Sequence, residues 1–93
     1  MKILIAEDDQ NISIIMEITL QQIGNHQVTT VENGQLAIDK LNANEDYDLI
    51  ILDGMMPVKD GMQTCREIKQ DLLLDIPVIF LTAKSDDASV SEF

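Results

Sequence analysis

Acidic side chains that close apolar runs are the residues here with chemistry to offer. Glu7 and Asp8 follow Ile3, Leu4, Ile5 and Ala6, and Asp53 follows Leu49, Ile50, Ile51 and Leu52. Short continuous apolar runs of this kind read as strands buried on both faces. If the two strands are neighbours in a parallel sheet, their ends lie about 5 Å apart and the acids converge. Carboxylates that close repel by on the order of 4 kcal/mol per pair at an effective dielectric of 20. Either one acid keeps its proton or a hard divalent cation offsets the charge. Mg²⁺ suits the second solution, because it takes oxygen ligands, keeps several waters, and is held by one or two carboxylates plus phosphate oxygens. It also neutralises charge where an anionic phosphoryl donor meets an anionic nucleophile. A carboxylate that attacks phosphorus forms an acyl phosphate. The spacing therefore points to metal-assisted phosphoryl transfer to Asp53. The competing reading is that these acids only end strands and cap helices.

The elements that must position the acids alternate along the chain. Residues 11–23 have helical period, with Ile12, Ile15, Met16, Leu20 and Ile23 expected on the core face, Asp9 or Asn11 as cap, and Gly24 after the end. Ile14 and Ile18 fall on the opposite face and are expected to be exposed, as part of a partner surface or under a neighbouring helix. Residues 27–31 read as a second strand. Asn33-Gly34 then opens a second helix over 35–42 with Ala37, Ile38 and Leu41 inward. The run 48–53 is the strongest buried-strand signal. A loop with Pro57 follows, and Gly61 opens a third helix carrying Met62, Cys65, Ile68 and Leu72 at helical spacing. Residues 77–81 enter a fourth strand through Pro77, as a strand's first position allows. A fourth helix is expected to begin near Asp86. This alternation implies right-handed crossovers and a parallel sheet covered by helices. In such sheets ligands bind outside the carboxyl ends of the strands, at a switch point in the strand order.

Composition narrows the function. Ninety-three residues with 45% hydrophobic content make one small globular domain. Six Lys and Arg against 17 Asp and Glu give a net charge of −11, so neither nucleic acid nor an anionic membrane is an expected partner. The lone Cys65 excludes an internal disulfide, and no segment reads as a signal peptide or a membrane span; the cytoplasm is the expected location.

Four segments together resemble the receiver domains of bacterial two-component response regulators. They are residues 3–9 (ILIAEDD), Asn33-Gly34 with Ala37, residues 48–57 (DLIILDGMMP) with Asp60-Gly61, and residues 77–83 (PVIFLTA). The resemblance covers essentially the whole chain. It implies a flavodoxin-like α/β fold with helices on both faces and strand order 2-1-3-4, followed in the family by a fifth strand. It also implies that Asp53 accepts the phosphoryl group. Glu7 and Asp8 match the acidic pair that holds Mg²⁺ (or Mn²⁺), Asp8 more directly, and Met55 matches the position that offers its backbone carbonyl. Thr82 matches the hydroxyl that contacts the phosphoryl group, and Ala83 the small residue that leaves it room. Asp9 reads as a helix cap or an outer acid. Met56-Pro57 and Asp60-Gly61 are read as shaping the loop. The expected donor is a sensor histidine kinase or a phosphotransfer domain.

The family continues through a fifth strand and helix, with a lysine after that strand that touches the phosphoryl group. The sequence ends at Phe93 before both, and Lys84 stands too early for the role. Residues 1–93 are therefore expected to form a single receiver domain that is incomplete at its C-terminus, with weakened phosphoryl retention and an open sheet edge favouring a homodimer or a strand-exchanged dimer. Three functions compete. A phosphorylated switch with self-directed chemistry, not a turnover enzyme, fits the acids. A non-phosphorylated pseudo-receiver serving as an interaction or oligomerisation module fits the missing lysine. A Mg²⁺-dependent phosphatase would want a second acid two residues past the nucleophile, where Met55 stands.

Overall fold

Four strands, β1 (Lys2–Ala6), β2 (Gln27–Val31), β3 (Leu49–Asp53) and β4 (Val78–Leu81), pair in parallel in the order β2-β1-β3-β4 in the computed structural model, which describes residues 1–44 and 46–81. This is the flavodoxin-like order expected. The connections carry helices α1 (Gln10–Ile18), α2 (Gly34–Ala43) and α3 (Gly61–Arg66). Both α1 and α3 widen into a π-helical turn, over Thr19–Ile23 and Glu67–Asp71 respectively. The fourth helix expected near Asp86 lies outside the described residues.

Alternation within the strands builds two cores. Leu4, Ala6, Ile50 and Leu52 point to one face and pack under Ala37, Ile38 and Leu41 of α2 and Ile68 beyond α3. Ile3, Ile5 and Ile51 point to the other face, where Met16 and Leu20 of the α1 segment cover them. The inward positions expected for α2 are therefore the observed ones. Each fully buried aliphatic side chain on these strands stabilises the fold by about 1.5–3 kcal/mol.

Helix α1 corrects the expected core face. Ser13 is buried and Met16 packs on the sheet, but Ile15 is 64% exposed and Ile23 83% exposed. The stripe that meets the sheet is centred on Ser13, Met16 and Leu20, which turns Ile15 outward. The π-helical turn adds residues to the last winding and carries Ile23 out of register with that stripe. Ile14 and Ile18 are exposed as expected. Gly24 follows the end of this segment as expected, and its neighbour Asn25 takes the left-handed conformation (φ 56°).

Local capping fixes the helix starts nearest the sheet's carboxyl edge. The Asp9 side chain accepts the Asn11 and Ile12 N–H groups, so Asp9 is the cap of α1. Asn33 Oδ1 accepts the Leu36 N–H at 2.9 Å. Asp60 and Gln63 form a reciprocal capping box at the start of α3.

Candidate functional site: an acidic cleft at the sheet's carboxyl edge

Register brings the acids together. Ala6 pairs with Leu52 across β1 and β3, so the next residues, Glu7 and Asp53, leave the sheet side by side. One carboxylate oxygen from each of Glu7, Asp8 and Asp53 lies within 4.8 Å of the other two. Successive residues face opposite ways as the strand ends: Glu7 is 3% exposed and Asp53 6%, whereas Asp8 is exposed. The three open onto a cleft of about 540 Å³ that Asp9, Ile12, Met55 and Asp60 also line. The Met55 side chain points largely to solvent, 61% exposed, while its backbone N–H donates to Asp53 Oδ1.

Hydrogen bonding leaves part of the cluster unsatisfied. Glu7 Oε2 accepts the Asp9 N–H at 3.0 Å, and Asp53 Oδ1 accepts the Met55 N–H at 3.4 Å. Glu7 Oε1 is buried without a hydrogen-bond partner among the described residues. Buried polar atoms are rarely left so. Burial pushes the Glu7 carboxyl from 4.5 up to about 7; the Asp9 N–H opposes the rise, and Asp53 adds to it. Close like charges, hard oxygen donors and an orphaned buried oxygen together form a set that a hard divalent cation fits.

The loop after β3 is held against the sheet by close backbone contacts. Gly61 N–H donates to the Gly54 carbonyl at 3.3 Å, and a Cβ at position 61 would overlap the Asp53 carbonyl. Only glycine allows that approach. The Asp60-Gly61 pair thus shapes the loop, as expected, and also seats α3 directly on the backbone of Asp53. Lys59 was not singled out in the sequence. Its Nζ reaches Glu67 across the start of α3, and its carbonyl accepts the Gly34 N–H at 3.1 Å. Nothing periodic signals such a loop-to-helix pair. Thr82, Ala83 and Lys84 lie outside the described residues.

The profile of the response regulator receiver domain family matches residues 3–93. The response regulator ArlR of Staphylococcus aureus (strain Mu50 / ATCC 700699) is 44% identical over 85 residues, 91% of this chain and 37% of that protein. The chain thus spans a little over a third of the length of this curated relative. The N-terminal domain of a response regulator receiver protein from Methanoculleus marisnigri JR1 superposes with a TM-score of 0.79 at 37% identity, covering 89% of this chain and 67% of that one. The phosphorylated cyanobacterial phytochrome response regulator RcpA superposes with a TM-score of 0.77 at 35% identity, covering 95% and 69%. Strand order, the acids at the strand ends and these likenesses agree: the chain belongs to the response regulator receiver domain family of two-component systems.

Proposed function

We propose that this chain is a phosphoryl-accepting switch in which Asp53 takes a phosphoryl group from a phosphohistidine of a sensor histidine kinase or phosphotransfer protein, with Mg²⁺ (or Mn²⁺) bound. The observation that carries this reading is the convergence of Glu7, Asp8 and Asp53 within 4.8 Å, with one buried Glu7 oxygen left without a partner among the described residues. Glu7, Asp8, Asp53 and the Met55 carbonyl would hold the ion. When bound, the ion supplies positive charge against the phosphoryl oxygens and the clustered carboxylates. RcpA, one of the solved relatives, is described as phosphorylated, which supports a phosphoryl-accepting role.

The chain's own residues define the step. An Asp53 carboxylate oxygen attacks phosphorus, an O–P bond forms, the N–P bond to the donor imidazole breaks, and the leaving nitrogen takes a proton. The product is an acyl phosphate on Asp53. The Met55 N–H on Asp53 Oδ1 orients the carboxylate. Asp53 sits at the end of a buried strand, so its backbone is fixed while its side chain reaches the cleft. Thr82 would contact the transferred group, and Ala83 would leave it space. The chemistry changes the protein itself, and no substrate is turned over in the manner of an enzyme.

Incubation with Mg²⁺ and a small phosphoryl donor, followed by intact-mass measurement, tests this. One phosphoryl adduct that needs the metal and is absent from Asp53→Asn is the expected result. A chain that stays unmodified while binding no Mg²⁺ would favour the interaction-module reading. Sustained release of phosphate from a substrate would favour the phosphatase.

A further inference from the structure

We propose that Lys59 is a positioning residue for the acidic cleft, tying the loop after Asp53 to α2 and to the turn after α3 so that the Gly54 and Met55 backbone is held toward the metal. This rests on the metal reading above. The loop needs such a restraint. Met55 and Val58 are exposed, and Val58 has φ 68°, a conformation that a β-branched residue adopts only where its surroundings force it. The Lys59 N–H closes a γ-turn over Val58 onto the Pro57 carbonyl at 2.7 Å.

Every polar group of Lys59 is used to hold this shape. Its N–H closes the turn, its carbonyl takes the Gly34 N–H, and its ammonium pairs with Glu67 while both side chains are largely covered, 20% and 27% exposed. The contact with α2 is tight. A Cβ at position 34 would lie 2.5 Å from the Lys59 carbonyl and would overlap the Thr64 hydroxyl. Thr64 is itself fully buried, with its hydroxyl on the Asp60 carbonyl at 2.7 Å. Residues 54–60 are thus pinned at their far end by α2 and α3, and at their near end by the Gly54 N–H on the Leu81 carbonyl at 3.2 Å. Met55 lies between those two anchors.

Charge alone predicts the opposite outcome, which makes the idea testable. Deleting a cation near an acidic cleft should tighten Mg²⁺ binding, whereas loosening a ligand-bearing loop should weaken it. The experiment titrates Mg²⁺ alone into the full chain by calorimetry and follows backbone amide exchange without metal. It compares wild type, Lys59→Met, Lys59→Arg, Glu67→Gln and Asp53→Asn. Lys59→Met should weaken Mg²⁺ binding about tenfold and speed exchange at Met55, while exchange at Ile50, Ile51 and Leu52 holds. Glu67→Gln should repeat the loop effect, and Lys59→Arg should restore both readouts. Unchanged or tighter Mg²⁺ binding in Lys59→Met overturns the positioning role while leaving the metal site intact. Faster exchange throughout β3 overturns it too, since the pair would then only stabilise the fold. A wild-type chain that binds no Mg²⁺, or binds it as well after Asp53→Asn, sinks the metal reading and this one with it.

Discussion

The interior of the sheet and its carboxyl edge are built from consecutive residues of the same strands, yet they meet opposite demands. Leu4, Ile50 and Leu52 are fully buried among aliphatic neighbours from α2 and from beyond α3. Just beyond them, Glu7 and Asp53 are almost as deeply buried, but they face like charge, and one Glu7 oxygen has no hydrogen-bond partner among the described residues. The interior gains from every contact, whereas the edge is held in place by the interior and gives up stability to keep its acids together. Where the two adjoin, side-chain burial alone says nothing about whether a residue stabilises the fold.

Core truncation should have the largest effect. Leu52→Ala should lose about 3–4 kcal/mol of unfolding free energy in a urea titration, from lost transfer energy plus a cavity. A loss under about 1 kcal/mol would mean that the interior is not close-packed as described. Next comes the pH dependence set by Glu7. Its carboxyl holds a proton up to about pH 7 in the fold but only to about 4.5 when unfolded. The folded chain therefore binds the extra proton between those values. The contribution of this one group should leave the fold most stable below pH 4.5, decline as pH rises through that window, and reach its full cost, about 3 kcal/mol, above pH 7. Glu7→Gln should flatten that slope in metal-free denaturation curves. A slope that survives the substitution would assign it to other groups.

A smaller gain is expected from Asp53→Asn. Without metal at pH 8, removing one of the clustered charges should stabilise the fold by about 1–2 kcal/mol, read as a rise in thermal midpoint. A destabilised variant would place Asp53 with the interior residues rather than with the edge. Ile15→Ala should shift stability by less than about 0.5 kcal/mol, because Ile15 lies outside both cores. A core-sized loss in the same urea titration would restore Ile15 to the sheet-facing stripe of α1.

The parallel crossover sheet was readable because each buried run is short and each intervening segment has helical period, whereas the order β2-β1-β3-β4 came only from the family resemblance. The acids were readable as residues closing buried runs, but their convergence depended on β1 and β3 being neighbours, which the register supplies: Glu7 and Asp53 stand one residue beyond the Ala6–Leu52 pair. The phase of α1 was not readable. Ile12, Ile15, Met16, Leu20 and Ile23 make a better apolar stripe on an ideal helix than the one actually buried. The contact face depends on the sheet beneath it and on a widened last turn, neither of which leaves a periodic mark. The Lys59–Glu67 pair was hidden because a loop residue and a helix residue eight apart share no repeating geometry.

The parallel order with β1 between β2 and β3 governs when this site comes into being. Of the four strands described, β1 is made before the others and is a central one, and its second neighbour is not made until β3 has been synthesised. Partly made chains therefore hold Glu7 and Asp8 with nothing opposite them. Non-local pairing of this sort is slow to form, and the carboxylates crowd together only once β1 and β3 have paired. A chain in which β1 and β3 have not yet paired therefore lacks the arrangement of Glu7, Asp8 and Asp53 on which the proposed phosphoryl transfer depends.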